Sequence, residues 1–233
     1  MKEYHLITGL PRSGANLLSS ILNQNPKFYA NETDHLANMT SFVLNQDTPL
    51  FQRQNTLRHL FDGHYEHIKK PTVFNTNISW SFLTYSLKET FPKTKMLICV
   101  RNITDVLNSF ELAYRRNHGA SGDVYSRAND LMNGMVGHAY NGIKQAISGP
   151  DRDMFMFVDY DVLRANPEGM MKAIYNFTGH TYYTHDFKNV KMDWDELDKE
   201  VDCTTTSMVE YKINNMVLPP DLVNAYSNME VWK

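Results

Sequence analysis

The sequence predicts an α/β protein, a three-layer α/β/α arrangement with a mainly parallel sheet that opens on a P-loop-like strand, loop and helix. Three observations predict it. Short apolar runs alternate with amphipathic stretches along most of the chain, the pattern of parallel strands joined by helical crossovers. The run "KMLICV" (95–100) is continuous, apolar and rich in β-formers, as expected of a strand covered on both faces. Near the start, "YHLITG" leads straight into glycines spaced G-x-x-x-x-G, Gly9 to Gly14, with an amphipathic helix behind them.

The elements follow in order. "YHLITG" reads as a short buried strand, and "SGANLLSSILNQ" as a helix with Leu17, Leu18, Ile21 and Leu22 at helical spacing and Pro26 just beyond its end. Residues 34–46 and 52–69 have helical patterning with much polar surface. "TVF" (72–74) is a second strand, and "SFLTYSLKETF" a helix stopped by Pro92. "KMLICV" is the third strand, followed by a helix from Asp105 to about Arg116 and a long polar helix from about Asp123 to Ile147. "MFMFVDY" (154–160) is the fourth strand. "NPEGMMKAIYNFTG" is a helix with Pro167 in its first turn and Gly179 just past its end. After residue 180 the pattern weakens, and loops and short helices covering the site are expected there. With no linker or repeat, residues 1–233 read as one domain.

Composition narrows the function. Hydrophobic residues make up 42% of the chain, enough for a substantial core, and the formal net charge of −3 lacks the basic excess of a general nucleic-acid or membrane-surface binder. Cys99 and Cys203 are too few for a disulfide framework and have no metal-ligand spacing; Cys99, inside "MLICV", reads as a small core hydrophobe. No apolar window is long enough for a membrane span and no signal peptide is evident, so the expectation is a cytoplasmic protein. The sequence does not indicate an oligomeric state.

The glycine loop can be read chemically. A strand, a loop and a helix N-terminus present backbone N–H groups and the positive end of a helix dipole to an anion. A nucleoside-triphosphate site would continue with Lys and Ser or Thr for the γ-phosphate and magnesium. Here Ala15 and Asn16 stand in those places, leaving Arg12, Ser13 and the Asn16 amide for a compact anion held without metal. A second constellation follows "KMLICV": Arg101 at the strand's carboxyl end and Ser109 eight residues later. Ligands of open α/β sheets gather outside the carboxyl ends of the strands, so both groups can face one crevice. Two anion positions suit a nucleotide phosphorylated at both its 5′ and 3′ positions.

These stretches resemble a known family. "GLPRSGANLLSSILNQNP" is similar to the 5′-phosphosulfate loop of the sulfotransferases, "VRNITDVLNSF" to their 3′-phosphate motif, and "FVDYDVLRANPEGMMKAIYNFTG" to a third recurring stretch. The resemblance implies a donor, 3′-phosphoadenosine 5′-phosphosulfate (PAPS), with the bisphosphate PAP as product, and no metal. It implies that Arg12, Ser13, Gly14, Ala15 and Asn16 contact the 5′ side and that Arg101 and Ser109 hold the 3′-phosphate. The chain departs from the family pattern at Ala15 and Asn16, where hydroxyl residues are usual.

Sulfuryl transfer needs a base for the acceptor proton and positive charge on the leaving phosphate, the latter a role for Arg12. "YANETDHLA" offers Glu32, Asp34 and His35. Its "N-E-T" resembles the "G-E-E-T" segment of sulfotransferases that modify protein tyrosines, which makes Glu32 the match, ahead of His64 and His67 in "DGHYEH". Glu32 is equally a carboxylate suited to a helix N-terminus. Asn75, Asn77 and Trp80 stand near the end of the second strand, as ligand contacts or as a capped loop with a core Trp. Lys212 occupies the late region where some relatives place a Lys near the nucleotide. The acceptor stays open. The competing readings are a kinase-like P-loop enzyme, disfavoured by Ala15, and a non-catalytic binder of a bisphosphorylated nucleotide.

Overall fold

The computed structural model describes residues 2–33, 35–190 and 215–233, with only the backbone described at 31–33 and 85. Five strands form one sheet: β1 (Glu3–Gly9), β2 (Phe28–Thr33), β3 (Thr72–Thr76), β4 (Met96–Val100) and β5 (Phe155–Asp159). Their order is β2-β3-β1-β4-β5 and every pairing is parallel. The α/β reading with a parallel sheet is therefore correct. After β1 the chain turns toward β2 and after β4 toward β5, so the order reverses between β1 and β4 and opens a crevice at their carboxyl ends.

The strand period of two sorts side chains into two cores. Met96, Ile98 and Val100 of β4 face one layer with Tyr4 and Leu6 of β1. Leu97 and Cys99 face the other with Ile7, Phe74 and Val158. Helix α1 (Ala15–Leu22) covers the second face through Leu18, Ile21 and Leu22, alongside α9 (Pro167–Thr178) through Met171, Ile174 and Tyr175. The first face is covered by α2 (Leu36–Leu44), α3 (Leu50–His64), α5 (Ile103–His118) and α7 (Met135–Ser148), with α4 (Thr84–Thr90) between α3 and α5 in the chain and α6 (Val124–Asn133) between α5 and α7. Helices α8 (Tyr160–Ala165) and α10 (Pro220–Tyr226) are short. Burial of Cys99 pushes its thiol pKa up to about 12, in keeping with a packing role.

Two elements differ from the sequence expectation. "FYANET" forms β2, an edge strand absent from the periodicity reading because Ala, Asn and Glu are poor strand formers. It is held by pairing Phe28, Tyr29 and Ala30 with Thr72, Val73 and Phe74, and by burying Phe28 and Ala30. The long helix expected over 123–147 is two helices, broken at Gly134, because α7 packs tightly on the end of α6. A Cβ at Gly137 would fall 1.8 Å from the Met132 carbonyl oxygen.

Candidate functional site

The loop between β1 and α1 depends on its glycines at two points. Gly9, at φ +126°, lies so close to β4 that a Cβ would sit 1.9 Å from the Cys99 carbonyl oxygen, and Gly14, at φ +89°, would put one 2.6 Å from Cδ2 of Tyr160. Between them Arg12 has φ 61°, a left-handed conformation uncommon for a side-chain-bearing residue. The first N–H groups of α1, at Ala15, Asn16 and Leu17, have no intrahelical acceptor by helix geometry, and no side chain caps this end. Backbone N–H groups and helix dipole thus point at one place.

Ser13 differs from its sequence assignment in one respect. It is buried, and its hydroxyl meets the carbonyl oxygens of Leu10 at 2.5 Å and Cys99 at 3.0 Å. One hydroxyl proton shared between two carbonyls ties the loop to β4. What Ser13 can offer an anion is its backbone N–H.

The second constellation meets the first. Nε of Arg12 donates to Oγ of Ser109 at 3.1 Å, and Nη1 of Arg101 donates to the Arg12 carbonyl oxygen at 3.4 Å. Residues 97 and 89 positions apart are thereby in contact. Asn102 caps α5 by accepting the Thr104 N–H at 2.8 Å, which fixes the turn carrying Arg101 out of β4. Arg101 also lies over the Tyr160 ring, 4.4 Å from its centroid, and its Nε is buried with no hydrogen-bond partner among the described residues.

Sequence reasoning left two residues here unassigned. Tyr160 and Arg164 both lie on α8, immediately past β5. The signal was available: Tyr160 stands just beyond a parallel strand, as Arg101 does. Beside them Asp161 has its carboxyl pKa raised, chiefly by burial and further by Asp159 and Asp105, with Arg101 and Arg164 pulling the other way.

Other expected residues fall elsewhere. The backbone of Glu32 is on β2, one residue from the strand's carboxyl end and so at the same end of the parallel sheet as the loop, two strands away. His64 ends α3 and His67 follows in the connection that enters the amino end of β3, where it is exposed. His35 precedes the first turn of α2 and is exposed. Trp80 is fully buried, donating to Asn75 Oδ1 at 2.8 Å while Asn75 donates to the Tyr65 hydroxyl at 2.5 Å, and Asn77 caps the 3-10 turn at Ile78–Phe82. These three serve the core and a cap. Asp34, Cys203 and Lys212 lie outside the described residues.

Fold and site together define an α/β protein whose glycine loop and helix N-terminus are joined to a second cationic position. The chain belongs to the sulfotransferase domain family, whose model matches residues 2–216. It is similar in structure to the sulfotransferase domain from the curacin biosynthetic pathway, with a TM-score of 0.62 at 14% identity over 94% of this chain and 93% of the other. It is also similar to the sulfotransferase of Alicyclobacillus acidocaldarius, with a TM-score of 0.57, 16% identity, and 86% and 90% coverage. A mouse sulfotransferase complexed with PAP gives 0.54 at 14% identity, covering 79% of this chain and 61% of that one. No curated protein matches the sequence. Among the described residues, no helix is long and apolar enough to cross a membrane.

Proposed function

We propose that the protein transfers a sulfuryl group from PAPS to an acceptor hydroxyl or amine by in-line displacement, without a metal. The observation that carries this reading is the contact of Arg12 with Ser109 and Arg101, which joins the loop to the second cationic position. The chain's groups fit such a donor. The uncapped N–H cluster suits a 5′-phosphosulfate, and the buried Nε of Arg101, without a partner among the described residues, suits a second phosphate. PAP in the mouse relative's complex is the same bisphosphate this reading requires.

In this mechanism the acceptor oxygen or nitrogen attacks sulfur as the bond from sulfur to the 5′-phosphate oxygen breaks. Negative charge then gathers on the leaving phosphate, where the loop N–H groups and the Arg12 guanidinium stabilise it. Glu32 takes the acceptor proton. A sulfuryl group carries less negative charge than a phosphoryl group, so the Lys and magnesium hydroxyl missing at positions 15 and 16 are not required.

Calorimetric titration with PAP, beside 5′-AMP and ATP with magnesium, tests the reading. Metal-independent PAP binding is expected to exceed both controls. Arg101→Ala should weaken PAP by about 10- to 100-fold, the range of one or more charge-assisted hydrogen bonds. Equal affinity for PAP and AMP would show that the second phosphate is not read, and the proposal would fall.

A further inference from the structure

Tyr160 stands where the two anion positions meet. One side of its ring abuts the loop at Gly14, closely enough that a Cβ there would come within 2.6 Å. The Arg101 guanidinium lies over the ring at 4.4 Å. The ring thus touches both the loop and the second cation, which also meet directly where Nη1 of Arg101 donates to the Arg12 carbonyl oxygen. Tyr160 is only half-buried, so packing alone leaves its side chain some freedom.

The Tyr160 hydroxyl accepts a hydrogen bond from Nη1 of Arg164 at 3.0 Å, and the Arg164 guanidinium lies 5.6 Å from the same ring's centroid. The two residues are four apart on α8, so they share a helix face. A planar guanidinium can hold a phenol oxygen through one nitrogen in a fixed direction, which a freely rotating ammonium does less well. The charged donor also makes this bond stronger than one between neutral groups.

We propose that Arg164 is a positioning residue. By holding the Tyr160 hydroxyl it fixes the ring between Gly14 and Arg101, and so sets the spacing by which the site prefers a 3′,5′-bisphosphorylated nucleotide to a 5′-monophosphate. This rests on the function proposed above. Arg164 acts through Tyr160, and the loss of its bond should be felt mainly by the ligand that spans both anion positions.

The test is the ratio of PAP to 5′-AMP affinity, by calorimetry, in the wild type, Arg164→Met, Arg164→Lys, Tyr160→Phe and the double variant Tyr160→Phe/Arg164→Met. Arg164→Met is expected to lower PAP affinity about 2- to 10-fold, the cost of ordering one freed side chain on binding, with a smaller change for AMP. Arg164→Lys should recover part of the ratio. In the Tyr160→Phe background, where the acceptor oxygen is gone, Arg164→Met should add nothing further. An unchanged ratio in Arg164→Met overturns the inference, including where the melting temperature falls, since that would assign Arg164 to the stability of α8. Fully additive losses in the double variant overturn it as well. A wild type without preference for PAP overturns the proposed function and this inference with it, whereas a wild-type preference that is unchanged in Arg164→Met overturns this inference alone.

Discussion

The two ends of the parallel sheet carry polar clusters built to opposite rules. At the carboxyl end, Arg12, Arg101, Ser109 and Tyr160 are half-buried, and a buried Arg101 N–H has no partner among the described residues. At the amino end, His5 is fully buried and satisfied within the fold. Its Nδ1 accepts the Lys95 N–H at 3.1 Å, so its proton sits on Nε2, which faces Nε2 of His180 at 3.2 Å. Carboxylate oxygens of Glu3 lie 3.6 Å and 3.8 Å from these two nitrogens. Two histidines and a glutamate so close have the composition of a metal site. However, a His5 ring that spends Nδ1 on a backbone N–H must keep its proton on Nε2, and that nitrogen has no lone pair for a metal. The amino-end cluster closes on itself through shared protons, while the carboxyl-end cluster keeps an Arg101 donor without a partner among the described residues.

Substitutions and pH should separate the two ends. The largest effect is expected from Glu32→Gln. Loss of a general base costs about 10²- to 10⁴-fold in kcat, and PAP affinity measured by calorimetry should stay as in the wild type. Parallel loss of PAP binding would make Glu32 part of the donor site or the fold and remove it as the base.

Acidification should act on the other end. His5 is held at a pKa of about 3 by burial, with His180 and Lys95 adding to the effect. His185 is held at about 4, chiefly by burial, and His180 is lowered mainly by burial, with Glu3 opposing. All three folded pKa values lie below the unfolded value near 6.5. The unfolded chain therefore binds more protons between those values, and stability present above pH 6.5 is lost as pH falls toward 4 and 3. Each such histidine adds about 1.4 kcal/mol of lost stability per pH unit within its window. Denaturant titrations from pH 7 to pH 5 should show this slope, and His180→Ala should flatten it. A stability flat across that range would contradict the buried neutral cluster.

The smallest effect is expected at Asn16. Replacing it with Thr restores a hydroxyl where the family usually has one. PAP affinity should rise by about 2- to 10-fold, the worth of one ordinary hydrogen bond. An unchanged affinity would mean that the Asn16 amide already supplies this contact.

Much of the carboxyl end was legible because its signals are local. The G-x-x-x-x-G spacing, the apolar strand before it and the helix behind it all lie within Tyr4–Leu22. The eight-residue step from Arg101 to Ser109 lies within one strand end and helix. The amino-end cluster left no such trace. Glu3 and His5 alternate along one strand, but His180 comes from beyond α9, and nothing in the pattern joins them. Gly134 marked no helix break in the sequence, because a lone glycine in a helical stretch is tolerated unless a neighbour presses on it.

The sequence by itself determined the class of fold, the loop that presents N–H groups, and the residue types at both cationic positions, since these depend on periodicity and on contacts a few residues apart. Tertiary structure decided the rest. It recruited "FYANET" as a strand by giving its backbone a partner in β3. It turned the Ser13 hydroxyl inward to the carbonyls of Leu10 and Cys99. It brought Arg12 to Ser109 and set Tyr160 between Gly14 and Arg101. These outcomes turn on which strand ends lie side by side, and in a parallel sheet that order is fixed by long crossovers whose close approaches have no short-range signature in the chain.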